Sequence, residues 1–133
     1  MKINITESVH PSGGAQEVVL FASPVGISRG RWMGPEPARL AVYDVELDFP
    51  DEVGGFDVLL AGGEGMIEWS VEDESIIAVG IVVTVGEMED PIVEISLGED
   101  IVLVEAPSAK SEVAIGNSVR FKAVRLDIYP YEL

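Results

Sequence analysis

The chain contains no cysteine and only one histidine among its 133 residues. The absence of cysteine excludes disulfide bonds, thiol nucleophiles and thiolate metal sites. No apolar run reaches the roughly 18 residues of a membrane-spanning helix, and the N-terminus lacks the apolar stretch of a signal peptide. We therefore expect a protein with no membrane contact that is located in the cytoplasm.

Basic residues are also scarce, since eight lysines and arginines stand against 24 aspartates and glutamates, for a formal net charge of −16 at pH 7. This excess of negative charge repels the phosphate backbone, so we expect no binding to nucleic acid. Hydrophobic residues nevertheless make up 47% of the chain, too many for a disordered acidic segment. The length predicts one domain over residues 1–133.

The apolar residues are of the types that favour strands. Valine and isoleucine number 31, whereas leucine, alanine and methionine together number 23. β-Branched side chains lose rotamer freedom in helices but pack well on a pleated sheet. The 14 glycines and 8 prolines separate short apolar segments, which is typical of an all-β protein with many turns.

The clearest strand covers residues 40–49. Its inward face is predicted to be formed by Tyr43, Val45, Leu47 and Phe49, and its solvated face by Asp44, Glu46 and Asp48. Residues 76–85 are apolar on both faces around Gly80, which indicates a bent strand buried on both sides. Hairpins are predicted for residues 66–85 and 91–105.

The end of the chain predicts a last strand over residues 118–129. Its alternation slips between Ala123 and Arg125, which predicts a β-bulge. Residues 10–14 and 62–65 are predicted as a loop and a turn. With seven to nine strands and no substantial helix, the expected fold is all-β. It is either a small antiparallel barrel, like the oligonucleotide/oligosaccharide-binding type, or a two-sheet sandwich.

Two motifs suggest chemistry, and their context argues against it. Residues 26–30 match the Gly-x-Ser-x-Gly elbow of α/β-hydrolases, which needs a following helix and a later histidine. Here glycines and prolines follow, and the single histidine, His10, precedes the motif. The row Asp44, Glu46 and Asp48 has same-face spacings of about 6.6–6.8 Å, too long to converge on one ion. We therefore predict no catalytic residue, no cofactor and no metal site.

Residues 29–37 are predicted as a long loop between two strands, and ordered loops of this length are usually functional. The candidate partner-binding residues of this loop are Arg29, Arg31, Trp32 and Met33, because arginine and tryptophan dominate interface energies. Arg31 and Trp32 are the expected anchors. The alternative is that Trp32 folds back and caps one end of the core.

Charge is distributed unevenly along the chain. Between Arg39 and Lys110 there is no lysine or arginine, whereas 18 acidic residues fall in that stretch. The basic residues form two clusters, at residues 29–39 and 110–125. These clusters either offset local acidic repulsion or form a small ligand-facing patch.

The acidic charge gives the leading functional hypothesis. It predicts a non-enzymatic interaction domain that binds a basic protein, in the manner of an immunity or inhibitor protein. The alternative is a small-molecule or carbohydrate-binding β-barrel, which a deep apolar pocket with convergent polar groups would favour. The sequence leaves open whether the chain forms a homo-oligomer.

Overall fold

The structure is a computed structural model that describes residues 1–9, 16–63 and 65–131. These residues form eleven strands: β1 (Lys2–Val9), β2 (Val18–Ser23), β3 (Gly26–Trp32), β4 (Val42–Asp48), β5 (Asp57–Val58), β6 (Met66–Ser70), β7 (Ser75–Val85), β8 (Ile92–Leu97), β9 (Asp100–Glu105), β10 (Ser118–Ala123) and β11 (Asp127–Pro130). The helical structure in these ranges is one 3₁₀ turn, Lys110–Glu112. The protein is all-β, as its composition predicts. No helix in the described ranges is long and apolar enough to cross a membrane.

Five strands close a barrel in the order β1, β2, β3, β11, β4. β3 and β11 run parallel, with Arg31 opposite Asp127, and the other neighbouring pairs are antiparallel. β11, the last of these strands, therefore inserts between β3 and β4. Five is also the strand number of oligonucleotide/oligosaccharide-binding barrels, and this likeness concerns architecture alone.

A second sheet has the order β5, β10, β7, β8, β9, with β6 also paired to β7. This sheet is inserted in the chain between the barrel strands β4 and β11. Its β6–β7 and β8–β9 pairs confirm the two predicted hairpins. Barrel and sheet share one buried cluster, in which the rings of Phe49 and Phe121 meet edge to face at 5.3 Å between centroids.

The predicted register of β4 is confirmed. The inward residues, all buried or half-buried, are Tyr43, Val45, Leu47 and Phe49. On the other face Asp44 and Glu46 are exposed. Asp48 lies opposite Asp127 of β11 and is half-buried, so the solvated face becomes more enclosed toward the end of the strand.

Two glycines let the strands approach each other closely. At Gly80 in β7, a Cβ atom would lie 2.4 Å from the carbonyl oxygen of Ser96 in β8, so only glycine fits there. The predicted burial on both sides is confirmed for residues 75–80 and wrong beyond them, where Ile81 is 44% exposed and Thr84 is also exposed. At Gly26, with φ of +135°, a Cβ atom would lie 2.2 Å from the carbonyl oxygen of Ile67. Gly26 therefore lets the barrel strand β3 contact β6 of the second sheet.

The predicted loop at residues 29–37 is wrong over its first part, because residues 26–32 form β3. The glycine that suggested a turn, Gly30, is required by packing, since a Cβ atom there would lie 2.9 Å from the side chain of Ile128. β3 is paired on one side with β2 and on the other with β11. These two pairings form a strand from residues that the sequence had in part assigned to a loop, because of the glycines within them and the prolines that follow at residues 35 and 37.

The predicted last strand at residues 118–129 is two strands. β10 ends at Ala123 in the second sheet, and β11 begins at Asp127 in the barrel. The phase slip in the sequence therefore marks the crossing between two sheets and not a bulge. This split and β3 bring the strand number above the predicted seven to nine. The predicted loop at residues 10–14 lies outside the described residues, as does residue 64 in the predicted turn.

Candidate functional site

Trp32, one of the two predicted anchors, is buried with 3% of its surface exposed. Its ring meets Tyr43 edge to face at 4.9 Å, and its indole N–H donates to the carbonyl oxygen of Glu36 over 2.8 Å. Met33 is half-buried, and its backbone N–H donates to Ile128 over 2.9 Å. Trp32 thus occupies the core, as the alternative interpretation of the sequence had it.

Arg31 lies on the opposite face of β3 from Trp32, because successive side chains of a strand alternate. Its guanidinium makes two hydrogen bonds to Asp127, from Nε to Oδ1 over 2.8 Å and from Nη2 to Oδ2 over 3.0 Å. The Asp127 side chain is only 4% exposed. These hydrogen bonds raise the pKa of Arg31 above its usual value despite the opposing effect of burial.

Arg29 shares the outer face of β3 with Arg31 and stacks on Trp69 of β6. The Arg29 guanidinium carbon lies 3.7 Å from the centroid of the Trp69 ring, which is cation–π geometry. The ion pairs among the described residues do not include Arg29. The buried Nε atom of Arg29 has no hydrogen-bond partner within those residues either.

Arg125, from the second basic cluster of the sequence, joins the same region through the connection from β10 to β11. Its guanidinium lies 3.8 Å from Asp51 and 3.7 Å from Asp127. These distances are within ion-pair range but too long for hydrogen bonds. Like that of Arg29, the Nε atom of Arg125 is buried without a hydrogen-bond partner in the described structure.

Together these side chains line a cleft of about 530 Å³ between the outer face of β3 and the second sheet. We call it the arginine cleft; its lining includes Arg29, Arg31, Trp69, Arg125 and the apolar side chains Val18, Ile76, Val124 and Leu126. Two acidic residues, Asp51 and Glu74, also line it. The structure thus joins two predicted binding residues with Trp69 and Arg125, which the sequence did not single out as binding residues.

The other members of the second basic cluster are engaged within the protein. The ammonium of Lys110 donates to three backbone carbonyl groups of residues 86–90. Arg120 lies 3.5 Å from Asp57, and Lys122 lies 3.1 Å from Asp73. The hydrogen bond from Lys122 lowers the pKa of the exposed Asp73 carboxyl. These contacts favour the interpretation that this cluster offsets local acidic charge.

A second surface lies on the outer face of β4 and β11. Tyr129 is the cross-strand neighbour of Glu46. Two residues further along the same face, the backbone N–H of Tyr131 donates to the backbone carbonyl oxygen of Asp44 over 3.0 Å. Tyr129 and Tyr131 are 40% and 59% exposed. We call these four residues the acidic–tyrosine face. Lys2 is the cross-strand neighbour of Asp44 on β1, but no ion pair within the described chain includes Lys2, Asp44 or Glu46.

Asp48 follows Glu46 on the same face, where the surface becomes enclosed. Burial raises the pKa of the Asp48 carboxyl above its ordinary value, and the nearby carboxylates of Asp127 and Glu46 raise it further. Arg125 opposes this effect. Its surroundings therefore destabilise the ionised form of Asp48.

The hydrolase-like motif of residues 26–30 lies within the paired strand β3, and its Ser28 is 2% exposed. No nucleophile elbow is formed there, because that motif requires a sharp turn from a strand into a helix. Among the described residues, no group of three or more histidine, aspartate or glutamate side chains could hold a metal ion.

The fold defines the class of this chain as an all-β protein with a five-stranded barrel and an inserted second sheet. Neither a family model, nor a curated protein, nor a solved structure matches the chain.

Proposed function

We propose that the protein is a non-enzymatic interaction protein that binds a basic protein partner through the acidic–tyrosine face. It would act in the manner of an immunity or inhibitor protein, by covering a positively charged surface. The observation that carries this proposal is the pairing of two unneutralised carboxylates, Asp44 and Glu46, with two exposed tyrosines on adjacent strands.

Charge supports a basic partner. The chain has a net charge of −16, and several of its few cations are held by its own carboxylates and carbonyl groups. A net potential of this sign attracts a basic partner over a distance and raises the association rate. Because mobile ions screen this attraction, binding should weaken as the ionic strength rises.

The two exposed tyrosines contribute binding energy that the carboxylates alone do not provide. Charged groups steer encounter and set specificity, whereas aromatic side chains contribute much of the energy of a bound interface. An exposed ring can also stack on a partner's arginine or lysine. Tyr129 and Tyr131 lie beside Glu46 and Asp44, so one partner cation could contact a ring and a carboxylate together.

The face is also rigid before binding. β4 is paired on one side with β1 and on the other with β11, so hydrogen bonds on both edges hold the backbone that carries its outward side chains. A preorganised surface loses less conformational entropy on association than a loop does. The absence of cysteine is consistent with a reducing compartment, and we place the interaction in the cytoplasm.

The test uses charge reversal with a matched control. One double variant, Asp44→Lys with Glu46→Lys, would reverse the charge of the acidic–tyrosine face. The control, Glu87→Lys with Glu89→Lys, would reverse the charge of two other exposed acids of equal spacing. Both double variants change the net charge equally, so they differ in the location of the change. Proteins captured by the wild type would be identified, purified and measured against all three chains by calorimetry.

The expected result is a basic partner whose affinity falls at least tenfold, about 1.4 kcal/mol, for the face variant. The control variant should lose much less, and only through the association rate. Tyr131→Ala should mainly increase the dissociation rate. A captured partner without a basic surface, or equal losses for both double variants, would contradict the proposal.

A further inference from the structure

We propose that the arginine cleft is a binding site for a small monocarboxylate with a flat apolar body, such as an aromatic acid. This site adjoins the acidic–tyrosine face, since Asp127, which binds Arg31 of the cleft, precedes Tyr129 on the same face of β11, but the inference does not rest on the proposed partner. It is carried by two guanidinium groups with unused donors in a cleft that also offers apolar surface.

The carboxylate is assigned to Arg29. Its guanidinium stacks on Trp69 through one face, and its N–H groups have no carboxylate within ion-pair range among the described residues. The Nε atom of Arg29 is buried, so the donors that a ligand can reach are the terminal N–H groups. The two terminal nitrogens of a planar guanidinium bind a carboxylate in a two-bond geometry.

Arg125 and Arg31 have different roles in this site. Arg31 is already engaged, because its Nε and Nη2 atoms donate hydrogen bonds to Asp127. Arg125 has contacts longer than hydrogen bonds to Asp51 and Asp127, and its Nε atom is also unpartnered in the described structure. Arg125 can therefore donate to the ligand without breaking a hydrogen bond of the protein.

The apolar body of the ligand follows from the rest of the lining. Val18 and Val124 provide accessible aliphatic surface, whereas Ile76 and Leu126 of the lining are almost completely buried. The volume of about 530 Å³ lies within the usual range of small-molecule sites, roughly 300–1,000 Å³. Burial of a ring against the accessible side chains supplies the hydrophobic part of the binding energy.

The single negative charge follows from Asp51 and Glu74, which line the same cleft. With Arg31 neutralised by Asp127, these two acids balance much of the charge of Arg29 and Arg125. A carboxylate can still bind the unused donors of Arg29. A phosphate ester or a polyphosphate would instead bring additional negative charge close to two carboxylates, which disfavours it.

The first experiment is calorimetry of the purified protein with 1-naphthoate, using neutral 1-naphthamide and inorganic phosphate as comparison probes. We expect naphthoate to bind at least tenfold more tightly than naphthamide, and phosphate to bind more weakly than naphthoate. Equal affinity for naphthoate and naphthamide would overturn the carboxylate assignment. An absence of naphthoate binding would overturn the site.

Substitutions inside and outside the cleft then test where naphthoate binds. Arg29→Gln should weaken naphthoate at least tenfold, and Arg29→Lys should weaken it less because the charge remains. Arg120→Gln serves as a control, because Arg120 lies on β10 with Asp57 outside the cleft. Unchanged affinity in folded Arg29→Gln would contradict the inference.

A pair of bulky variants tests the site without removing an arginine. Val124 lines the cleft and is 78% exposed, whereas Val71 is 79% exposed and is not part of the lining. Val124→Trp should reduce naphthoate binding by filling the entrance, and Val71→Trp should leave it unchanged. Equal binding by both variants would show that naphthoate binds elsewhere.

Discussion

Arg31 and Asp127 join the third and the last strand of the barrel through two hydrogen bonds between residues 96 positions apart in the chain. They are also register partners in the parallel pair of β3 and β11. The pair thus connects the end of the chain to its beginning at the point where the barrel closes. The pair contributes to stability because the Asp127 side chain is nearly inaccessible to water and needs a charged partner.

Arg31→Met should destabilise the protein by about 2–3 kcal/mol, because the buried Asp127 carboxylate loses its two hydrogen bonds and keeps the longer contact with Arg125. This is below the ~3–5 kcal/mol for fully buried pairs, since 30% of the Arg31 side chain is exposed. Urea denaturation would measure the loss. Arg120→Met, which removes a solvent-exposed pair with Asp57, should cost less than about 1 kcal/mol. Equal losses would show that the buried pair contributes no more to the free energy of unfolding than the exposed pair does.

Trp32→Ala should destabilise the protein by about 3–5 kcal/mol, as expected for a large aromatic side chain removed from a core. The sequence left two interpretations open: Trp32 in a binding loop, where its loss would hardly change stability, or Trp32 folded back as a cap on the core. Thermal and urea unfolding would distinguish the two. Trp69→Ala is the control, because Trp69 is half-buried and should lose less. A melting temperature for Trp32→Ala near that of the wild type would contradict the core placement.

Val45→Asp should unfold the protein or nearly so, whereas Glu46→Lys should be tolerated. Val45 is 1% exposed on the inner face of β4, and an unpaired carboxylate there costs several kcal/mol. Glu46 is exposed among other acids, so reversing its charge relieves repulsion. Melting temperatures by circular dichroism would test this pair. Similar values would mean that the register of β4 is wrong.

Asp48→Asn should stabilise the protein at neutral pH, with a gain that disappears as the pH falls. The pKa of Asp48 is higher in the folded than in the unfolded chain, so folding favours its protonated form. The cost of its ionised form is fully present above the folded pKa. It vanishes as the pH falls to the ordinary aspartate value near 3.9. Asp44→Asn, an exposed change on the same strand face, is the control in urea melts across this range. A gain that is independent of pH would contradict the assigned cause.

The protein should not bind DNA or RNA at physiological salt. Its net charge of −16 opposes the phosphate backbone, and the arginine cleft contains carboxylates beside its arginines. Fluorescence anisotropy with a random oligonucleotide should show no binding at protein concentrations of roughly ten micromolar. A dissociation constant on the order of micromolar or tighter would refute this prediction.

The sequence by itself determined the strand-forming character of the chain and the faces of its regular strands. The alternation in β4 and the first half of the doubly apolar run of β7 indicate which sides are buried, whatever partner covers them, whereas Ile81 in the second half of that run is exposed. The two hairpins of the second sheet were also predictable, because their strands are neighbours in the chain and a short turn joins each pair. In each case the information is local.

Residues 26–32 form a hairpin with the neighbouring strand β2, which the sequence prediction missed because their glycines were assigned to a loop. Only the tertiary structure decided their second pairing, with β11, because that strand lies almost a hundred residues away. The glycines of β3 resembled turn residues, yet their small size serves close packing against Ile67 and Ile128. The arginine cleft likewise combines residues from β3, β6 and the connection to β11. A single sequence contains no local signal for such long-range contacts, since pairing between distant strands depends on how the whole chain packs around its core.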